Sequence, residues 1–203
     1  MEYIWKEYNK DVDERRVSEY MKRWGLSRQR AVRENAVVYW GDETVVSSCE
    51  TVERGYAPKG QPHALPVGTK RERVNMLSAV SSEGSVRFMV YRESMDQRLI
   101  RFMQRLTGTS ERKAFLVLDN LKVHHGKLVP AWLEKRKDKI EVFFLPPYAP
   151  EYDPDEYLDH ALKLYVHTGK LPYTAQDISH EIYSFMRGLQ YKPLKISRLS
   201  FLL

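Results

Sequence analysis

Three acids in this chain stand where carboxylates from distant segments could meet. Asp42 follows the apolar run Ala36-Val37-Val38-Tyr39-Trp40, Asp119 follows Ala114-Phe115-Leu116-Val117-Leu118, and Glu156 follows Asp153-Pro154-Asp155. Breaking a phosphodiester requires negative charge to be stabilised on both the attacking and the leaving oxygen, and two divalent ions roughly 3.5–4 Å apart do this symmetrically. Hard Mg²⁺ takes oxygen ligands and retains several waters, so three acids from separate elements can hold it without a cysteine or histidine cage. Each acid also has an ordinary explanation: Asp42 and Asp119 as turn residues, Glu156 as the capping-box partner of Asp153. Pattern alone leaves both readings open.

The elements that must position these acids can be read from periodicity. Residues 36–40 and 114–118 have the continuous apolar character of strands buried on both faces, with Gly41-Asp42-Glu43 and Asp119-Asn120 at their ends. Val74 to Val80 and Val86 to Tyr91 flank Ser81-Ser82-Glu83-Gly84-Ser85 as a hairpin. Ser94 and Gln97 have capping-box spacing ahead of a helix with Met95, Leu99, Met103 and Leu106 inward, ending near Gly108, and its outer side carries Arg98, Arg101 and Arg105. Leu128 to Lys137 reads as a helix burying Val129, Trp132 and Leu133, and Ile140 to Leu145 as a further strand closed by Pro146-Pro147. Asp153-Pro154-Asp155-Glu156 has the form of a helix start, followed by an inward stripe of Leu158, Ala161, Leu162 and Tyr165. The last helix, Ala175 to Leu189, buries Ile178, Ile182, Phe185 and Leu189. This order describes an α/β architecture, a mixed sheet with helices on its faces, whose chemistry collects at the strand ends.

Ahead of that domain, Val17, Tyr20, Met21 and Trp24 recur at helical spacing with Gly25 as a C-cap, and Leu26 to Asn35 reads as a basic linker without period. The division expected is an appendage over 1–35 and one folded domain over 36–203. Composition agrees: 203 residues suffice for one buried core, and 42% hydrophobic with 30% charged residues excludes a disordered chain. The formal charge of +6 favours a polyanionic partner, and it concentrates at Arg15, Arg16, Lys22, Arg23, Arg28, Arg30 and Arg33, opposed only by Glu19 in that stretch. Cys49 is the single cysteine, so an internal disulfide is excluded and a reducing compartment is expected. With no apolar run of membrane-spanning length and a charged N-terminus, a cytoplasmic protein with no membrane partner is expected.

Four stretches occur in order: Tyr39-Trp40-Gly41-Asp42-Glu43, Gly55-Tyr56-Ala57-Pro58-Lys59-Gly60-Gln61, Phe115 to Asn120, and Phe144-Leu145-Pro146-Pro147-Tyr148-Ala149-Pro150-Glu151-Tyr152-Asp153-Pro154-Asp155-Glu156. Together they resemble the transposases of the mariner superfamily, in its bacterial insertion-sequence branch, across roughly residues 37 to 200. The resemblance implies a ribonuclease H-like fold and an Asp-Asp-Glu triad carried onto Asp42, Asp119 and Glu156, with 36 residues between the last two. It further implies Mg²⁺ or Mn²⁺, as two ions held by those acids, and double-stranded DNA as partner, both element ends and target, on which the protein acts as a homodimer in the nucleoid. The implied activity is cleavage of the element's ends and transfer of the freed 3′-hydroxyl to target DNA. His124 matches a histidine common after the second acid and Lys59 lies in a matching loop; a helix-start histidine and a solvated lysine explain them equally well.

The sequence departs from the family's pattern in five places. Residues 1–35 are expected to hold only the last part of a helix-turn-helix region, the connection from Arg30 to the Val37 strand is short for the family, Phe201-Leu202-Leu203 comes before the family's usual tail, asparagine is usual where Asp153 stands, and an aromatic is common where Asp159 stands. These departures keep two alternatives open: a remnant that binds DNA without cutting it, and a ribonuclease H-like nuclease without strand transfer.

Overall fold

The computed structural model describes residues 22, 25–48, 71–92, 95–108, 110–118, 128–144, 154–168 and 174–191, without the side chains of 28, 95, 96 and 154–157. In chain order the elements are α1 (Arg28–Arg33), β1 (Ala36–Ser47), β2 (Arg73–Ser81), β3 (Val86–Tyr91), α2 (Met95–Gly108), β4 (Lys113–Leu118), α3 (Leu128–Glu134), β5 (Ile140–Phe144), α4 (Pro154–His167) and α5 (Ala175–Gln190). The strands form one sheet in the order β3-β2-β1-β4-β5. β1 pairs antiparallel with β2 and β2 with β3, while β1 pairs parallel with β4 and β4 with β5. The result is the mixed, helix-flanked, ribonuclease H-like sheet expected from the sequence.

Side-chain alternation divides the core between two faces. On one, Val37, Tyr39, Leu77, Ala79, Leu116 and Leu118 pack with Leu99, Phe102, Met103 and Leu106 of α2 and Val129 of α3. On the other, Val46, Val74, Met76, Val80 and Val86 pack with Leu158, Ala161, Leu162 and Val166 of α4 and with the Ile178, Ile182, Phe185 and Leu189 stripe of α5. The hairpin between β2 and β3 is fixed by buried Ser81, whose Oγ accepts the backbone N–H groups of Glu83 and Ser85, and by Gly84 at φ +79°. A capping box starts α5: Thr174 Oγ1 accepts the Asp177 N–H and the Asp177 carboxylate accepts that of Thr174.

Four expectations change. β1 runs through Gly41-Asp42-Glu43 to Ser47, because antiparallel pairing with β2 continues as far as Ser47 opposite Arg73 after the parallel pairing with β4 has ended. Residues 26–35 are not a plain linker: Ser27 caps α1 by accepting the Arg30 N–H, and Leu26 and Ala31 are buried. The third helix ends at Glu134, since Lys135 to Lys139 offer nothing apolar to bury and form turns closed by backbone bonds. On α4 it is Val166 that enters the core, and Tyr165 sits 36% exposed against Phe185. Gly25 has φ +62° and donates to the Lys22 carbonyl, as a helix C-cap does; the expected helix before it lies outside the described residues apart from Lys22.

Charge, more than apolar area, seats α1. It lies over β4 and β5 on the face shared with α4, with the Arg30 guanidinium 5.0 Å from the Phe115 ring centre and 6.0 Å from that of Phe143. A closed ring of ion pairs surrounds it: Arg30 to Glu34 (2.7 Å) and Glu141 (2.5 Å), Lys113 to Glu34 (2.8 Å) and Glu141 (3.3 Å). The bonds from Lys113, then Arg30, lower the Glu34 carboxyl to about 2. Among the described residues no helix is long and apolar enough to cross a membrane.

Candidate active site

Asp42 lies in the middle strand of the sheet, at the level where one neighbouring strand stops. Gly41 is opposite Leu118, the last residue of β4, whereas Asp42 itself is opposite Ser78 in β2. Alternation puts Asp42 on the face of Thr44 and Val46, the face covered by α4 and α5, and Ser78 lies on that face between Met76 and Val80. Half-buried, Asp42 is oriented locally by Oδ1 accepting the Glu43 N–H at 2.7 Å. The residue before it must be small: a Cβ at Gly41 would stand 3.0 Å from the Ser78 carbonyl oxygen and 3.1 and 3.3 Å from methyls of Leu118 and Leu116.

Glu43, the adjacent acid, points to the opposite face and is bound there by the Tyr91 hydroxyl. Burial first, and that carboxylate second, push the Tyr91 phenol well above its ordinary range. Of the two neighbouring acids in the Gly41-Asp42-Glu43 stretch, Asp42 alone therefore faces α4.

Helix α4 carries Glu156 in its first turn; the backbone there is described and the side chain is not. The helix packs on β1 and β2, and the His167 ring pins its far end between the Lys163 carbonyl (Nδ1, 2.7 Å) and the Ser47 carbonyl (Nε2, 2.8 Å). Asp119, which follows Leu118 directly in sequence, lies outside the described residues, as do His124, Lys59 and Asp153. The structure thus shows one of the three acids in full, one by its backbone and one not at all. Among the described residues no three His, Cys, Asp or Glu side chains group as a metal site.

Two polar groups on this same interface escaped the sequence analysis in part or whole. Thr44, two residues beyond Asp42, is buried with its hydroxyl lacking a hydrogen-bond partner among the described residues. Asp159, one turn after Glu156, pairs with Lys163 through Oδ2 at 2.8 Å while its Oδ1 is buried without a partner among the described residues. Asp159 stood out in sequence as a departure; Thr44 carried no signal, since an isolated threonine in a strand is ordinary.

Residues 37–178 match the DDE superfamily endonuclease family, and residues 1–36 match the winged helix-turn helix family. The chain belongs to the DDE superfamily of endonucleases. Solved structures with this DDE fold that resemble the chain include the mariner Mos1 paired-end complex with Mg (17% identity, TM-score 0.61, covering 97% of this chain and 61% of that one). The Mos1 paired-end complex with Mn is similar at 17% identity and a TM-score of 0.57, covering 95% and 62%. The catalytic domain of Mos1 mariner transposase matches at 13% identity and a TM-score of 0.53, covering 95% of this chain and 94% of that domain. Against the longer chains of the Mos1 complexes, this DDE chain spans less than two thirds of their length. No curated protein matches it.

Proposed function

We propose that this chain is a DNA transposase of the mariner type, in the bacterial insertion-sequence branch, that cleaves element ends and joins them to target DNA with Asp42, Asp119 and Glu156 as metal-binding catalytic residues. The observation that carries the reading is Asp42 at the end of β4's pairing, turned toward the helix whose first turn includes Glu156, within a stretch matching the DDE superfamily. Distances along the elements support the grouping. From His167 back to Glu156 the helix rises about 16 Å at 1.5 Å per residue, and from Ser47 back to Asp42 the strand covers about the same at 3.3 Å. With His167 bonded to Ser47, a helix running along the strand would bring the first turn of α4 level with Asp42. Asp119 follows Leu118, the last residue of β4, directly in sequence.

The donor chemistry fits a hard cation: Asp42 is a half-buried carboxylate held by its neighbour's backbone N–H, with no sulfur donor required. Asp42, Asp119 and Glu156 would together hold the Mg²⁺ or Mn²⁺ ions, two of them on this reading. The chemistry so supplied is activation of the attacking water or 3′-hydroxyl and neutralisation of charge on the leaving oxygen. Double-stranded DNA, at element ends and at the target, is the substrate, a homodimer holds the paired ends, and the work is done in the cytoplasm at the nucleoid. The test is nicking of a duplex bearing the element's terminal repeat, with Mg²⁺ or Mn²⁺, by the wild-type chain and by Asp42→Asn and Asp119→Ala. Both variants should fall to background while melting like the parent; equal nicking by all three rejects the assignment. A pre-cleaved end offered with a target plasmid tests joining, and nicking without joining reduces the reading to that of a nuclease.

A further inference from the structure

One carboxylate beside the candidate active site is only half answered. Asp159 pairs with Lys163 through Oδ2 at 2.8 Å, yet its Oδ1 is buried with no hydrogen-bond partner among the described residues. An acceptor buried in that way costs stability, and a charged one costs more than a neutral one, so the arrangement is a burden to the fold by itself.

The place of this oxygen on α4 gives it a use. At 3.6 residues per turn, positions 156, 159, 163 and 167 fall within an arc of about 80°. His167 fixes which way that arc faces: its Nε2 meets the Ser47 carbonyl at 2.8 Å, so the flank is turned to β1 beyond Asp42. Residues three apart on a helix have Cβ atoms about 5–6 Å apart, which sets Asp159 beside position 156. The strand holds a second unmet oxygen. Thr44 is 2% exposed, alternates onto the face of Asp42, and its hydroxyl has no partner among the described residues. Counted back from the His167–Ser47 contact, Asp159 stands about 12 Å along the helix and Thr44 about 10 Å along the strand. A helix running along the strand would therefore set the two unmet oxygens level with each other, next to the level of Asp42 and Glu156. Buried polar gaps hold water, and a hard cation keeps several of its waters when carboxylates bind it.

We propose that Asp159 is a positioning residue of the metal site, whose Oδ1 accepts hydrogen bonds from water retained by the cation held at Glu156 and so strengthens cation binding. This rests on the reading that Asp42, Asp119 and Glu156 hold the ions. Groups in that outer position are worth about 10–100-fold in metal affinity.

The full chain, without DNA, is titrated with Mn²⁺, and the free ion is read by electron paramagnetic resonance for the parent, Glu156→Gln, Asp159→Asn and Lys163→Met. Asp159→Asn keeps the shape of the side chain and removes its charge; it should weaken Mn²⁺ binding about tenfold or more while melting close to the parent. Lys163→Met removes the cation on Oδ2 and leaves the carboxylate in place, so it should bind Mn²⁺ at least as tightly as the parent. The proposal is overturned if Asp159→Asn binds Mn²⁺ like the parent, above all with a raised melting temperature, which would make Oδ1 a packing cost and nothing more. It is also overturned if Lys163→Met weakens binding, since the ion pair would then act only by holding the helix, and this variant decides the matter if Asp159→Asn fails to fold. Weakened binding by Glu156→Gln beside unchanged binding by Asp159→Asn sinks this inference alone. A parent that binds no Mn²⁺, or a Glu156→Gln protein that binds it like the parent, overturns the triad reading and this one with it.

Discussion

Replacing two glycines by alanine should move stability in opposite directions. At Gly41 the added methyl would meet the Ser78 carbonyl at 3.0 Å and the methyls of Leu118 and Leu116 at 3.1 and 3.3 Å. The carbonyl belongs to the β2 backbone and the two leucines are fully buried, so neither neighbour can yield cheaply. Overpacking of this kind costs about 1–3 kcal/mol, offset by about 0.5–1 kcal/mol from the smaller conformational freedom of alanine in the unfolded chain, for a net loss of about 1–2 kcal/mol. Gly188 lies inside α5 with nothing within 4 Å of its added Cβ, so alanine there should stabilise by about 1 kcal/mol. At roughly 2–4 °C per kcal/mol for a chain of this size, Gly41→Ala melts lower by about 2–8 °C and Gly188→Ala higher by about 2–4 °C. Urea denaturation followed by circular dichroism gives the free energies directly. Nicking under conditions where all proteins are folded should drop for Gly41→Ala, whose shifted strand carries Asp42, and persist for Gly188→Ala. A Gly41→Ala protein as stable as the parent, or a Gly188→Ala protein less stable, would refute the packing argument.

Three further outcomes follow from the same contacts. Thr44→Val keeps the shape while removing a buried, unpartnered hydroxyl, so it should stabilise by about 1 kcal/mol in urea denaturation; a loss of stability would mean the hydroxyl is satisfied after all. Arg30→Ala removes two ion pairs and two ring contacts, and with partial exposure screening the charges it should cost about 2 kcal/mol, measured the same way. Because Glu34 is lowered from 4.5 to about 2, its protonated form is favoured in the unfolded chain. Its contribution is present above about pH 4.5 and fades as pH falls toward 2. The stability gap between wild type and Glu34→Gln should shrink across that window, and a gap independent of pH would show that the ring contributes nothing through this carboxylate.

Legibility in the sequence tracked the kind of force that holds each element. The β4 strand and the β2–β3 hairpin could be read directly because their burial is apolar and their turn residues are Ser and Gly. β1 was cut short after Trp40 because Asp42, Glu43 and Thr44 look like a turn, although pairing with β2 carries the strand past them. α1 went unread for a related reason: Leu26 and Ala31 are too few to make a period, and the helix is held by Arg30 against two phenylalanine rings and by the pairs Arg30–Glu141 and Glu34–Lys113, whose partners lie 111 and 79 positions apart in sequence. In the candidate site, Asp42 and the start of α4 were legible from their surrounding words. What sequence could not supply was direction: Asp42 and Glu43 are neighbours, and only the sheet shows that they face opposite ways.

That opposition restricts how the gene can tolerate length changes. Insert a single codon between Ala36 and Gly41, keep the strand pairings after it, and the segment before it must either slip or bulge; keep those before it, and Glu43 and Asp42 exchange sides. Single-codon insertions and deletions upstream of Asp42 should therefore be far less tolerated than point substitutions on exposed helix positions, and a surviving one should carry a bulge that restores the parity of the strand.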